Sequence, residues 1–161
     1  MTKSTETVLG SNTIPRVDLD FMNNTHAEEM EMVITLSNLI TVYLQIDTQT
    51  ATEKQTITQA LESWLQHTKV HFANENTLMK EINFPPYPMH AGEHESTLEK
   101  MAALVNEWKS SNDIEPVAEF VFNEWPKWFE AHISTMDMMT ARFAVMNGYD
   151  PQSQPNKNTE E

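Results

Sequence analysis

Apolar residues recur at helical spacing in four stretches of the chain, and nowhere do they alternate as in a half-buried strand. In the first stretch, about Asp20 to Ile46, Met30, Val33, Ile40 and Leu44 are separated by three, seven and four residues. Its start admits Thr25 with Glu28 as a capping box, or an earlier cap at Asp18 or Asp20. The second stretch, about Glu53 to Ile82, carries Leu61, Trp64, Leu65, Phe72, Leu78, Met79 and Ile82 on its face. Asn83-Phe84-Pro85-Pro86-Tyr87-Pro88 ends it, because proline lacks a donor and restricts the residue before it. The third, about Pro88 to Lys109, presents Leu98, Met101, Leu104, Val105 and Trp108. The fourth follows a cap at Asp113 and runs to about Met146, where Asn147-Gly148 is a stop signal. Pro126 lies inside it and predicts a kink or a locally 3₁₀ turn near Phe122 to Trp125.

Four helices of this length, joined by short loops, predict an all-α fold, an antiparallel up-down-up-down four-helix bundle. The bundle is expected over residues 18–149, with an N-terminal arm at 1–17 and a disordered, proline-containing polar tail at 150–161.

Composition narrows the chemistry. The 161 residues carry a formal net charge of −14, a surface that repels phosphates and anionic lipid, so nucleic-acid and membrane partners are not expected. No apolar run has the length of a signal peptide or a membrane helix, and the expected location is the cytoplasm. Cysteine is absent, which excludes disulfides, iron–sulfur clusters, thiolate zinc sites and thiol nucleophiles. The three glycines, Gly10, Gly92 and Gly148, cannot compose a dinucleotide fingerprint, a phosphate loop or a nucleophile elbow.

The histidines are where chemistry concentrates. His71 and Glu75 are four apart on the second helix, and His90 and His94 are four apart on the third, so each pair shares a face. His26 falls on the stripe of the first helix, four before Met30 and seven before Val33. His132 falls on that of the fourth, four after Trp128 and four before Met136. A single histidine on an apolar face usually packs as a satisfied core residue. Four helices each delivering imidazole to one interior is different, because every buried ring nitrogen needs a partner and a shared metal satisfies all of them. Imidazole and carboxylate without sulfur suit iron, and zinc or manganese less distinctively.

The segments His71-Phe72-Ala73-Asn74-Glu75, His90-Ala91-Gly92-Glu93-His94 and Trp128-Phe129-Glu130-Ala131-His132-Ile133, followed by Asp137, resemble the hemerythrins, whose pattern is a histidine, then HxxxE, HxxxH and HxxxxD. The resemblance covers about residues 18–147 and implies a non-haem di-iron centre in a four-helix bundle that binds O₂ reversibly. It implies two iron ions, Fe²⁺ or Fe³⁺, joined by an oxo or hydroxo bridge. His90, His94 and His132 would hold one and His26 and His71 the other, with Glu75 and Asp137 bridging. Seven protein ligands and one solvent-derived bridge leave the ion on His26 and His71 one ligand short, so O₂ is expected there. Asp137 rests on the resemblance alone: five residues from His132 is about 140° round an ideal helix, and a helix distortion or an edge-on aspartate is needed to reconcile the two.

The expected role is therefore an O₂-binding protein for storage, transport or delivery, not an enzyme. A di-iron enzyme acting on peroxide or nitric oxide, and a sensor speaking to a free-standing protein partner, are the alternatives. His90-Ala91-Gly92-Glu93-His94 also reads as an inverted zinc-protease signature, but a chain this short offers little cleft, and Glu93 is expected on a solvated face. Ferritin-like sites need Glu three residues before His, which no histidine here has. His67, four before His71, is expected outside the metal set, in a supporting or packing role. Met136, Met138, Met139 and Phe129 are expected to pack the core or line a dry pocket over the open iron position.

Overall fold

The structure, a computed structural model, describes residues 14–155. It is an all-α bundle of four helices, with no strand among the described residues. Helix α1 spans Asp20–Gln45, α2 Ala51–Glu81, α3 Tyr87–Ser111, and α4 residues 114–146. Each helix packs on its sequence neighbours, and α4 closes the bundle against α1.

The pairing is antiparallel throughout. Trp108, late in α3, donates its indole N–H to Thr58, early in α2, while His94 near the start of α3 meets Asn76 near the end of α2. Asp20 N, opening α1, donates to Pro151 O just beyond α4. One core runs the length of the bundle, from Leu19 and Met22 past Trp64 and Trp125 to Tyr43 and Trp108. Leu44, expected on the stripe of α1, lies half exposed, and Tyr43 is buried in its place, a slip of one residue in the last turn.

The helix ends follow local chemistry. Thr50 and Glu53 form a reciprocal capping box at α2. Asp113 accepts from Glu115 N at α4, as expected, and Asn112, in the left-handed region at φ 56°, closes α3. At α1 the expected caps are not used. Leu19 occupies the cap position without a side-chain bond, and Thr25 is already inside the helix, donating to Phe21 O. Asn23 reaches back instead, pairing with both the N–H and the carbonyl of Val17.

Helix α4 departs most from expectation. Around Pro126 the turn widens rather than tightens: Phe120–Glu124 is a π turn, closed by Trp125 N–H to Phe120 O. Pro126 has no N–H to give and its ring crowds the carbonyl one turn back, and a five-residue step relieves both problems without breaking the helix. A second π turn, Ile133–Asp137, follows after the eight α-helical residues Trp125–His132.

Residues 150–155 turn back onto the bundle and Pro155 is buried. The remainder of the expected tail, 156–161, and residues 1–13 of the expected arm lie outside the described residues.

Candidate metal centre

All seven side chains singled out in the sequence meet in the half of the bundle where α1 begins and α4 ends. His26, His71, Glu75, His90, His94, His132 and Asp137 are each buried. One ligand atom each of Glu75, His90, His94, His132 and Asp137 lies within 4.8 Å of the others, and the same holds for His26, His71 and Glu75. The two groups share Glu75.

The carboxylates face both ways. Glu75 Oε2 is 2.9 Å from His71 Nε2 and 3.6 Å from His26 Nε2. Its Oε1 is 3.1 Å from His94 Nε2 and 3.5 Å from His90 Nε2. Asp137 Oδ2 is 3.0 Å from His26 Nε2, and its Oδ1 is 3.0 Å from His90 Nε2 and 3.3 Å from His132 Nε2. Each carboxylate thus offers one oxygen to each histidine set. The second π turn is what allows this, since Met138 N–H reaches Ile133 O five residues back and the extra residue returns Asp137 to the face of His132.

The imidazoles are held from behind. His90 Nδ1 lies 2.8 Å from Thr140 Oγ1, which itself donates to Met136 O and so accepts from the ring. His94 Nδ1 donates to Asn76 Oδ1 at 2.9 Å, and His132 Nδ1 to Glu93 Oε1 at 2.8 Å. His71 Nδ1 lies 3.2 Å from Glu29 Oε1. In these four rings the outer partner takes a proton on Nδ1, so that Nε2, once it gives up its own proton, turns a lone pair to the centre, as a metal ligand must. Rings are clamped as well: Phe72 stacks on His94 at 4.0 Å and 8°, Trp128 on His132 at 4.6 Å and 16°, and Phe129 meets His26 edge-on at 5.6 Å. Met139, by contrast, projects outward and lines nothing.

Whether these residues suit a metal can be judged from what they lack. Nε2 of His26, His90, His94 and His132, Glu75 Oε1 and both oxygens of Asp137 are buried without a hydrogen bond. They face one another at 3.0–3.5 Å, at ion-pair distance and without aligned hydrogen bonds. Burial alone would strip protons from the imidazoles, yet the neighbouring carboxylates reverse this. Asp137 and Glu75 hold His90 up to about 9 and also raise His26, while Glu75 and Glu29 raise His71 well above its ordinary value. His94, where burial prevails, is lowered. Burial would raise both Glu75 and Asp137; the histidines nonetheless hold both below the ordinary carboxylate range. The interior is short of positive charge, and metal cations fit that demand by displacing the protons.

Some supporting residues were not legible in advance. Glu29, three residues after His26 on the stripe of α1, is buried, and its place between His26 and Met30 was the available signal. Glu93 is partly solvent-exposed, as expected, and in addition accepts from His132. His67 stands outside the centre, on Glu29 and Glu28. A cavity of about 310 Å³ opens beside His71, lined by Phe21, Thr25, His67, Asn74 and Pro155 among others.

The comparisons agree with this geometry. The family model of the hemerythrin HHE cation binding domain matches residues 18–144. A bacteriohemerythrin of Aquifex aeolicus (strain VF5) is 28% identical over 131 residues, 81% of this chain and 93% of that protein. A bacteriohemerythrin of Ralstonia nicotianae (strain ATCC BAA-1114 / GMI1000) is 33% identical over 91 residues, 56% of this chain and 65% of that protein. No solved structure matches the chain. A matched domain spanning most of the bundle, with a buried histidine–carboxylate cluster at its heart, makes this chain a metal-binding member of the hemerythrin family.

Proposed function

We propose that the chain holds two iron ions and binds O₂ reversibly, serving its storage, transport or delivery. The observation that carries the reading is the inequality of the two overlapping groups. Three histidines, His90, His94 and His132, face one oxygen of each carboxylate, whereas only two, His26 and His71, face the other. In this reading His90, His94 and His132 would hold one ion and His26 and His71 the other, Glu75 and Asp137 would serve both, an oxo or hydroxo group would be shared between the ions, and the side with fewer imidazoles would be the one to take a small ligand. The relatives named bacteriohemerythrin support the same assignment.

When bound, the iron pair supplies the electrons that O₂ takes up on binding and returns on release. The residues do the rest. Glu75 and Asp137 supply two negative charges that would offset the cations, and the Nδ1 partners of His71, His90, His94 and His132 orient those rings with Nε2 toward the centre. Phe129, edge-on to His26, and the rings of Phe72 and Trp128 restrict water around the ligands. No helix among the described residues is long and apolar enough to cross a membrane.

The test is metal analysis with absorption spectra of the protein reduced without air, exposed to O₂ and then purged. Two irons per chain and a band that appears with O₂ and fades on purging are expected. A single metal per chain, native zinc alone, or steady turnover of peroxide or nitric oxide would overturn the reading.

A further inference from the structure

The outer partners of the histidines are unequal in charge. His90 leans on a hydroxyl, Thr140, and His94 on an amide, Asn76. His132 leans on Glu93, whose side chain is 39% exposed, so solvent screens its charge. His26 Nδ1 has no hydrogen-bond partner. Among the five candidate ligand histidines, His71 is the one whose outer nitrogen rests on a buried carboxylate, Glu29, which is 1% exposed.

Glu29 is itself tightly held. Its Oε2 accepts from Trp64 Nε1 and from Thr68 Oγ1, both at 2.6 Å, and its Oε1 from His67 Nδ1 at 2.8 Å as well as from His71. Four donors, from Trp64, Thr68, His67 and His71, thus converge on its two oxygens, so both oxygens act as acceptors, as in a carboxylate anion. His67 in turn reaches the exposed Glu28 at 3.3 Å, linking the buried anion to the surface beside the cavity.

We propose that Glu29 is a positioning residue for His71, and that its buried negative charge, moderated by Trp64, Thr68 and His67, sets the electron-donating strength of His71 toward the ion it holds. The proposal rests on the di-iron reading above. A charged acceptor on Nδ1–H makes an imidazole a stronger donor through Nε2 than a neutral acceptor does, and a stronger donor favours the oxidised metal. Donors on Glu29 drain charge from it and act in the opposite sense. His67, which lies outside the ligand set, becomes one of these moderators.

Opposing variants test this. Iron-loaded wild type, Glu29→Gln and Thr68→Val are analysed for iron and then titrated spectroelectrochemically without air, so that O₂ binding plays no part in the readout. Glu29→Gln keeps the shape and an acceptor but removes the charge, and should shift the oxidised-to-reduced ratio at the wild-type midpoint about tenfold toward reduced, the difference between a charged and a neutral hydrogen bond. Thr68→Val keeps the shape and removes a donor, and should shift the ratio toward oxidised. Glu93→Gln should shift it less than Glu29→Gln. Shifts in the same direction for Glu29→Gln and Thr68→Val, as packing damage alone would produce, or no shift in either, overturn the proposal. If Glu29→Gln does not hold iron, Thr68→Val decides, and an unchanged or more reduced ratio overturns it. A wild type that binds fewer than two irons overturns the di-iron reading and the proposal with it.

Discussion

Asp137 follows His132 by five residues, yet its Oδ1 lies 3.3 Å from His132 Nε2. The π turn Ile133–Asp137 between them explains the contact, because it holds one residue more than an α turn and restores the face that regular spacing would lose. Such a turn behaves as a single-residue insertion. Deleting the exposed Ser134 should convert it to a regular turn, leave His132 and the aspartate four apart, and preserve both helicity and metal content. Adding one alanine after Ser134 should instead rotate the aspartate by about 100° and lose metal. Circular dichroism with metal analysis checks both, and equal metal loss in the two variants would remove the π turn from the explanation.

The unpaired atoms of the centre predict a stability that depends on metal. Ligands that bind only the folded state add about 2.7 kcal/mol at a hundredfold excess over Kd. For a chain of this size that corresponds to roughly 5 to 10 °C in Tm. Calorimetry of metal-free and metal-loaded protein should show a difference of at least this size. Coincident transitions would mean that the cluster of buried lone pairs is satisfied without metal.

Much of this centre was legible because its spacing is helical. His71 with Glu75 and His90 with His94 are one turn apart, and His26 and His132 sit on apolar stripes, so their burial follows from the same periodicity that predicts the four helices. Asp137 was not legible that way, since α periodicity carries no sign of a π turn, and only resemblance supplied it. The same blindness left a kink or a locally 3₁₀ turn as the expectation before Pro126, where the helix widens into a π turn. Thr140, Asn76 and Glu93 were missed for another reason. Each meets a histidine on a different helix, so helix packing places it and local spacing is silent. Glu29 stood on a readable stripe, but a carboxylate there is burdened by burial until Trp64, Thr68 and His67, all on α2, are known to bond it.

Glu29 also predicts the acid behaviour of the metal-free protein. Its carboxyl moves from an ordinary 4.5 to about 2 in the fold, so the stability it contributes is complete above pH 4.5 and is lost as pH falls from there toward 2. The loss is of order 3 kcal/mol by the size of that shift. His67 and His71 are raised, so their contribution is complete below pH 6.5 and declines as pH rises through their folded values. Urea midpoints of metal-free protein should therefore be highest between about pH 4.5 and 6.5. In Glu29→Gln the acid limb between pH 5 and 3 should flatten. An unchanged slope there would show that Glu29 is not ionised in the folded state.

The last expectation concerns which side of the centre is open. His90, His94 and His132 give one group three imidazoles, and His26 and His71 give the other two, while Glu75 and Asp137 turn one oxygen toward each. In the proposed di-iron reading, with a shared solvent-derived bridge, the three-histidine ion would have six ligands and the other would keep one position. The cavity of about 310 Å³ beside His71 lies on that same side. Mutations should therefore act unequally. His90→Ala or His94→Ala should open a position on the ion those residues would hold, admit water there and speed autoxidation while O₂ is still bound. His71→Ala takes a ligand from the reactive ion and removes the imidazole that Glu29 holds, so reversible binding should vanish, with about one iron lost per chain. A structure of the azide complex decides the matter. Azide against the His26 and His71 side is expected, and azide on the ion held by His90, His94 and His132 would reverse the assignment even with all seven ligands correct.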